Sequence, residues 1–294
     1  MSTPSLSVVI ASVNGFPYLG ACLDALTGRC PDAEVVVADC TDPQTRARIR
    51  EGWPHVRVMS FDEPTSIPVL RAAGIRLASA PYIAVIEDHC VVIPGWSDAL
   101  LAAHRSGRSV VGGPIRNTAT RLRDWAAFLF EYSGVEEPMP AGVVTHLPGM
   151  NISYDRRAIA AMQDLLDAGK WEGWLHDRLH AKGFELYLEP RATIEHIKDF
   201  GVMEFVGQRF HYARAHADMC NPELGWKRIV YAGGSPLLVP LLYWRIARSI
   251  LHRRHHVREL VLSTPLLVLY LIATAVGEGC GYIFGGGRSL LRIR

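Results

Sequence analysis

The sequence predicts an α/β fold in which helices cover both faces of a mostly parallel sheet. Three observations indicate this fold. Short, continuously apolar and β-branched runs recur in the first 90 residues, helix-like segments separate several of them, and no internal repeat or low-complexity linker interrupts the pattern. Strands that are apolar throughout are typical of parallel sheets buried on both faces.

The amino-terminal elements follow in a regular order. Strands are expected at residues 6–12, 33–40, 56–61 and 82–88, and helices at 17–28 and 66–79. Polar side chains come at or just after three strand ends: Asn14, Asp39 and the adjacent Glu87, Asp88 and His89. Ligands of such sheets bind beyond the carboxyl ends of the strands, where the strand order reverses. The sequence therefore predicts a binding site at this edge.

The middle of the chain has a less regular pattern. A helix is expected at 121–134, a loop at 135–146, a turn feeding a helix at 147–169, and a helix at 171–183 that Gly183 ends. Residues 184–196 hold two strand-like pieces around Pro190. The expected domains are a catalytic domain, residues 1–221, and a membrane-associated helical tail, residues 222–294.

Charge and cysteine content narrow the class of protein. From residue 222 on, ten Lys or Arg accompany three Asp or Glu, so the tail carries +7 and the preceding part −5. The tail's basic residues sit beside apolar runs, which favours an anionic lipid surface over nucleic acid. The six cysteines contain no CxxC pair and are expected to be reduced thiols. The amino terminus shows no export signal, which favours the cytosolic compartment.

The tail contains two apolar stretches, residues 229–244 and 260–276, that are candidates for membrane contact. The Arg-rich segment between them would lie outside if both stretches crossed as a hairpin, against the rule that short positive loops stay cytoplasmic. We therefore expect interfacial helices or a shallow re-entrant hairpin on the cytoplasmic face of the membrane, with membrane contact through residues 229–284. The arginines expected at lipid headgroups are Arg245, Arg248, Arg253, Arg254 and Arg258. The alternative is an amphipathic extension packed on the catalytic domain or on a second subunit of a homo-oligomer.

The segment "EDH", residues 87–89, ends an apolar strand and brings a carboxylate and an imidazole two residues apart. Such a pair can hold a divalent ion that bridges the oxygens of a diphosphate. The alternative is a solvated turn after a strand.

Five blocks extend this pattern along the chain: "SVVIASVNGFPYLGACLDAL", "EVVVADCTD", "LRAAGIRLASAPYIAVIEDHCVVIPGW", "LPGMNISYDRRAI" and "WEGWLHDRLHAKGFELYLEPRATIEH". In this order they resemble the family 2 glycosyltransferases over about residues 5–200. The resemblance implies the GT-A fold, a Rossmann-like sheet flanked by helices. The sequence contains no GxxxxGK[ST] loop and no GxGxxG after the first strand, so neither motif indicates another nucleotide-binding fold.

The resemblance also implies roles for individual residues. "EDH" stands at the family's DxD motif, with Glu87 at the first acidic position and His89 at the third, and a histidine ligand tilts the preference from Mg²⁺ towards Mn²⁺. Asp39 matches the residue that recognises the nucleotide base, and Arg71 matches the arginine of the family's "ARNxG". The implied donor-binding residues are Asn14, Asp39, Arg71, Glu87, Asp88 and Asn151, and the implied metal ligands are His89, Asp88 and His196.

Glu172 stands where the family places an acidic pair that includes the catalytic base, although Gly173 replaces the second acid. Glu172 is therefore the predicted base, with Asp177 as second candidate. The alternative interpretation of Glu172 is a carboxylate that stabilises the amino terminus of a helix, and this role is compatible with catalysis. Arg209 and Arg214 are candidates for contact with a diphosphate. "QRFHYARAH" falls short of the QxxRW motif of processive synthases, so the sequence does not indicate polymerisation.

The function implied is inverting transfer of a sugar from a nucleoside-diphosphate donor to an acceptor hydroxyl, with Mn²⁺ or Mg²⁺. The acceptor is either lipid-linked and membrane-proximal or soluble. Because "EDH" and the single Glu172 depart from the family pattern, the alternative is a catalytically impaired scaffold or nucleotide-sugar-binding protein held at the membrane.

Overall fold

The computed structural model describes residues 4–293, apart from the side chains of residues 222–224. The chain divides into two compact units. The sheet unit comprises the chain up to Thr118 and Val135–Lys198, and the helical unit comprises Ala119–Gly134 and the chain from Asp199 on.

The sheet unit contains an eight-stranded sheet, which confirms the predicted α/β class with a mostly parallel sheet. Its strands are β1 (Leu6–Ser12), β2 (Glu34–Asp39), β3 (Arg57–Ser60), β4 (Tyr82–Glu87), β6 (Val110–Gly112), β8 (Gly142–Val144), β9 (Asn151–Asp155) and β10 (Leu186–Leu188). A second, three-stranded sheet consists of β5 (Cys90–Val92), β7 (Ile115–Asn117) and β11 (Ile194–His196).

Helices of the sheet unit alternate with the strands. They are α1 (Tyr18–Arg29), α2 (Pro43–Gly52), α3 (Ile67–Leu77), α4 (Trp96–Arg105), α6 (Arg156–Ala161), α7 (Gln163–Asp167) and α8 (Glu172–Ala181). Helix α3 packs closely on β1, because a Cβ at Gly74 would overlap the side chain of Val9. This close approach brings Arg71 of α3 near the carboxyl ends of the central strands.

The order of the main sheet is β3-β2-β1-β4-β9-β6-β10-β8. Strands β3, β2, β1 and β4 are parallel, and the chain reverses its direction of growth between β1 and β4. Ala11 pairs with Glu87 in this register, so the two strands end at the same level. This pair is the switch point at which an open α/β sheet binds ligands.

Two strands fall where the sequence indicates a loop or a turn. Strand β9 lies antiparallel between β4 and β6, and β8 is an antiparallel edge strand beside β10. Residues Asn151–Asp155 are all buried although three of the five are polar. A strand whose polar side chains are bonded inside the protein lacks the apolar run by which a buried strand is recognised.

The helical unit consists of α5 (Leu122–Tyr132), α9 (Val202–Leu224), α10 (Lys227–Gly234), α11 (Leu238–Arg253) and α12 (Val257–Phe284), with short 3-10 turns at Ser235–Leu237 and Ser289–Arg292. Its core joins Ala126 and Ala127 of α5, Phe205 of α9 and Tyr270 of α12, together with Phe200. By packing, the units part between Lys198 and Asp199, and α9 continues past residue 221. The predicted division at 221 is a division by function and stays a prediction.

In the described part of the chain, two helical stretches are long and apolar enough to cross a membrane by length and composition: Lys227–Arg253 and Val257–Phe284. The core helix of a soluble protein can pass the same test. The stretches differ in this respect, because 50% of the most apolar window of Val257–Phe284 is buried inside the protein but only 11% of that of Lys227–Arg253. The first stretch is therefore an apolar surface and not a core helix.

Candidate active site

The turn after β4 is folded into the protein. Asp88 is fully buried and His89 is 3% exposed. The alternative of a solvated turn after the strand does not hold. Because β4 ends beside β1, the turn lies against the loop that follows β1.

Asp88 fastens that loop. Its Oδ2 accepts hydrogen bonds from three consecutive backbone N–H groups, of Val13 (2.9 Å), Asn14 (2.7 Å) and Gly15 (3.2 Å). Its Oδ1 accepts one from Asn14 Nδ2 at 2.7 Å and lies 3.3 Å from His89 Nδ1. Burial raises the pKa of Asp88, but the bonds from His89 and Asn14 outweigh burial and hold the pKa below its ordinary value. Both oxygens are thus occupied by protein groups.

Arg71 joins two acidic residues that lie 85 positions apart in the sequence. The residue is 7% exposed, and its guanidinium forms ion pairs with Glu87 of β4 and with Glu172, the first residue of α8. Trp171, which precedes α8, lies beside the same guanidinium at 6.0 Å from ring centroid to Cζ. A buried guanidinium needs paired carboxylates, and here one cation holds both. The structure therefore brings the predicted base together with the predicted donor-binding residues Arg71 and Glu87.

The loop before β9 packs against the predicted base. A Cβ at Gly149 would overlap the carboxyl group of Glu172, so only glycine leaves room for that carboxylate. Gly149 and Glu172 also line one narrow cleft with Arg71 and Lys170. Its apolar walls come from Pro68, Ile75, Val85, Ile152, Tyr154, Leu166 and Leu175. The carboxylate thus stands between a fixed cation and a fixed loop.

The side chains of two buried histidines, His89 and His196, lie close to each other. His89 Nε2 is buried, has no hydrogen-bond partner among the described residues, and lies 3.4 Å from Glu87 Oε2. His196 pairs with Cys90 across β11 and β5, which places its ring 4.8 Å from that of His89, centroid to centroid. Burial, then the nearness of His89 and of Lys198, hold the pKa of His196 well below its usual range. Its imidazole is therefore neutral, the form that binds metals.

The fit of a divalent cation can be tested on these contacts. A buried Nε2 without a partner beside a carboxylate oxygen is a donor pair that suits Mn²⁺. Asp88 fits less well, because its oxygens already accept backbone and side-chain hydrogen bonds. Within residues 4–293, the ligand atoms of Asp88, His89 and His196 do not all lie within 4.8 Å of one another. Glu87 and His89 therefore fit the ion, and the predicted role of Asp88 as a ligand has no support from the geometry.

Two other predicted donor-binding residues lie outside this network. Asp39 is fully buried and accepts hydrogen bonds from Ser12 Oγ (3.0 Å), Thr41 Oγ1 (2.8 Å) and Arg46 Nε (2.9 Å). These bonds occupy its carboxylate with protein groups, and its role as the base-recognising residue stays a prediction. The exposed carboxylate next to it is Asp62, which pairs with Arg46 at 2.5 Å.

Asn151 is occupied by protein groups as well. Its Nδ2 donates to the carbonyls of Ala192 (2.8 Å) and Pro114 (3.2 Å), and its Oδ1 accepts from Trp96 Nε1 at 3.0 Å. Because it is fully buried, no group remains for a sugar. The geometry assigns Asn151 to the junction of β9 with its neighbours, and its predicted contact with a sugar has no support.

The remaining candidates lie elsewhere. Asp177 is exposed on α8. Arg209 and Arg214 belong to α9 of the helical unit, where Arg209 pairs with Glu131 at 2.5 Å and Arg214 donates to the carbonyl of Gly285 at 2.8 Å.

Sequence reasoning did not indicate Arg46, Gly149 or Lys170. Arg46 lies on α2, a polar helix with no apolar period to reveal it. Gly149 stands in "LPGM", where a glycine reads as a turn residue and nothing marks its contact with a distant helix. Lys170 directly precedes "WE", and this adjacency to Glu172 is the one signal that the sequence offers.

Comparison with known proteins tests the predicted fold. The family profile described as Glycosyl transferase family 2 matches residues 7–161. Mannosyltransferase PcManGT from Pyrobaculum calidifontis, solved in complex with GDP-Man and Mn²⁺, is similar in structure, with a TM-score of 0.56 and 14% identity over 95% of this chain and 88% of that chain. TarS from S. aureus has a TM-score of 0.52 and 12% identity over 94% of this chain and 55% of that chain. No curated protein sequence matches. These likenesses confirm the expected GT-A fold.

Proposed function

We propose that this chain, which belongs to glycosyl transferase family 2, transfers a sugar from a nucleoside-diphosphate donor to an acceptor hydroxyl with inversion at the anomeric carbon. One observation carries the proposal. Arg71 joins Glu172 to Glu87, and Glu87 lies 3.4 Å from the free Nε2 of His89. A cation, a carboxylate base and a pair of metal-capable atoms are thus held at one switch point of the sheet.

The proposed reaction is a single displacement. The acceptor oxygen forms a bond to the anomeric carbon while the bond from that carbon to the diphosphate oxygen breaks. The acceptor proton passes to the carboxylate of Glu172. Because a carboxylate is a weak base towards an alcohol, proton transfer accompanies bond formation, and placement of the base matters more than its basicity. Gly149 and Arg71, which fix that carboxylate from two sides, are positioning residues.

Glu87 and His89 would hold a divalent cation, with His196 next to them. When bound, such an ion neutralises charge on the departing diphosphate. Asp88 acts through the backbone: by holding residues 13–15 it shapes the loop that faces the donor. Arg71 would bind the diphosphate by exchanging one of its carboxylate partners for a phosphate oxygen. GDP-mannose and Mn²⁺, bound in the similar archaeal structure, are the first donor and ion to test.

We further propose that the chain acts at the cytoplasmic face of a membrane, with contact through residues 229–284. The support is the stretch Lys227–Arg253, which is apolar yet only 11% buried in its most apolar window. Exposed aromatic residues at its amino-terminal end, Trp226 and Tyr231, and near its middle, Trp244, are of the type enriched at membrane interfaces. A lipid-linked acceptor agrees with this placement. In functional terms, residues 1–221 are then the catalytic domain and 222–294 the tail.

The test pairs binding with turnover. UDP-, GDP- and dTDP-sugars are screened by thermal shift with and without Mn²⁺, since a ligand that binds the folded state raises its melting temperature. Glu172→Gln is expected to retain donor-induced stabilisation and to lose sugar transfer by about 100-fold or more. Transfer at the native rate by Glu172→Gln would contradict its role as base. If no donor is hydrolysed or transferred by the native chain but one stabilises it, the chain is a binding scaffold.

A further inference from the structure

The outward face of α11 combines cationic, aromatic and apolar side chains. An open groove in the helical unit is lined by Trp244, Arg245, Arg248, Ser249 and His252. These positions recur at helical spacing on one side of α11, while Ile246 and Ile250 are buried on the other. The groove is therefore formed by the side chains of one regular helix and not by a loop.

The groove is held in a fixed shape by two contacts. Ser249 Oγ donates a hydrogen bond of 2.7 Å to the carbonyl of Ser133, which anchors α11 within the helical unit. The guanidinium of Arg248 lies over the ring of Trp244 at 5.2 Å, a cation–π contact. Within the described part of the chain neither Arg245 nor Arg248 forms an ion pair. Their charge is available to an external anion.

Apolar side chains flank this charge on the same face. Trp244 and Leu251 are each 54% exposed and Leu241 is 42% exposed. An anionic macromolecule in water would match the arginines but not these apolar neighbours. A phospholipid bilayer presents anionic phosphate and hydrocarbon within a few ångströms of each other, which matches both. A second copy of the tail would bring like charge, since the tail carries +7.

We infer that the groove on α11 is a binding site for the phosphate group of an anionic phospholipid, with Arg245, Arg248 and His252 around the phosphate and Trp244, Leu241 and Leu251 in the interfacial layer. The inference rests on the membrane association proposed above and adds a headgroup-selective site to it. The site explains why an Arg-rich segment interrupts the two apolar stretches: the arginines hold α11 at the level of the headgroups.

The test uses the full chain and vesicle flotation. Vesicles contain either phosphatidylcholine alone or phosphatidylcholine with phosphatidylglycerol, and the variant is Arg245→Gln with Arg248→Gln. At about 1 kcal/mol for each arginine near an anionic surface, the variant is expected to bind the anionic vesicles about 30-fold more weakly. It is expected to bind neutral vesicles as the native chain does, since its apolar face is intact. Higher salt should weaken anionic-vesicle binding of the native chain more than that of the variant, whose tail keeps a charge of +5.

A matched control removes equal charge elsewhere. Arg50→Gln with Arg105→Gln replaces two exposed arginines of the sheet unit and should keep the native preference for anionic vesicles. An equal loss in the control, or an unchanged preference in the groove variant, overturns the site. Release of the native chain from anionic vesicles by inorganic phosphate at constant ionic strength also overturns it, because the groove would then select free phosphate.

Failure of the site can be distinguished from failure of the proposed function. If the native chain binds neither kind of vesicle, the membrane association is wrong and the groove with it. Donor-dependent release of nucleoside diphosphate, measured on the same protein without vesicles, reports on the glycosyl transfer separately. Circular dichroism of each variant verifies that the helices are retained.

Discussion

Replacing Arg71 by methionine tests the network on which the proposed site depends. Arg71→Met keeps the length and apolar stem of the side chain but leaves Glu87 and Glu172 without their shared cation. The side chains of the three residues are 8%, 17% and 21% exposed, for Arg71, Glu87 and Glu172. Removal of one partner from a buried ion pair costs about 3–5 kcal/mol. Because both carboxylates retain some contact with water, we expect a loss near the lower end, about 3 kcal/mol.

A loss of this size is measurable by thermal unfolding. About 1 kcal/mol shifts the melting temperature by roughly 2–4 °C in a protein unit of 150–250 residues, so Arg71→Met should lower it by about 6–12 °C. Arg76→Met is the matched control, since Arg76 lies on the same helix and pairs with Asp167, but both side chains are more than half exposed. An exposed pair contributes about 0–1 kcal/mol, so the control should shift the melting temperature by at most about 4 °C.

A third variant separates lost charge balance from lost packing. Arg71→Met combined with Glu87→Gln and Glu172→Gln removes the unpaired charges together with the arginine. If uncompensated carboxylates cause the loss, this triple variant should regain at least half of the stability that Arg71→Met loses. A single variant as stable as the Arg76→Met control, or a triple variant no more stable than the single one, would refute the reasoning.

Three further changes test the site and the pH dependence of the fold. Gly149→Ala should lower sugar transfer by about 100-fold, because the added Cβ would displace the Glu172 carboxylate. In the same assay the control Gly173→Ala should leave transfer unchanged, because the space around its Cβ is open. His89→Ala should abolish the Mn²⁺-dependent part of the donor-induced thermal shift while the fold is retained; an undiminished Mn²⁺ effect would contradict its role. His176→Leu should remove part of the acid sensitivity of folding. Burial, then the nearness of His146 and His180, lower the pKa of His176 in the folded state to about 4. Between pH 7 and pH 5 the unfolded state therefore binds a proton that the folded state does not, and the free energy of unfolding of the native chain falls by about 2 kcal/mol. Denaturant titrations at the two pH values measure this, and an equal pH dependence in the leucine variant would exclude His176 as its source.

The sequence was sufficient to predict the elements whose residues form apolar runs. Strands β1 to β4 begin and end within one residue of the predicted bounds, because each is a β-branched run closed by polar or turn residues. Strand β9 escaped prediction because its buried side chains are polar. Ser153 lies 2.8 Å from the imidazole of His104 and Asn151 is bonded to Trp96, so burial here follows from partners that are distant in sequence.

The residues of the candidate site were likewise predicted only in part from the sequence. The sequence located the cluster, since Glu87, His89, Arg71 and Glu172 do meet, but it predicted Asp88 as a metal ligand beside His89 and assigned Glu87 to the donor. Strand geometry separates them. Glu87 and His89 point to the same small space, 3.4 Å apart, whereas Asp88 between them points to the backbone N–H groups of residues 13–15. Neighbouring residues at the end of a strand face opposite sides, and which side holds donors depends on a loop 75 residues away.

The contacts of Arg71 show why a site of this kind cannot be predicted from the spacing of residues in the sequence alone. Its guanidinium could be buried at the base of a cleft only because two carboxylates reach it, and those carboxylates come from the end of a strand and the beginning of a helix. Stability therefore requires Glu87 and Glu172 at these positions whether or not a donor is present. A diphosphate bound as proposed would compete with them for the same cation. In the proposed mechanism, a phosphate oxygen that replaced one carboxylate at Arg71 would couple occupation of the donor site to release of that carboxylate.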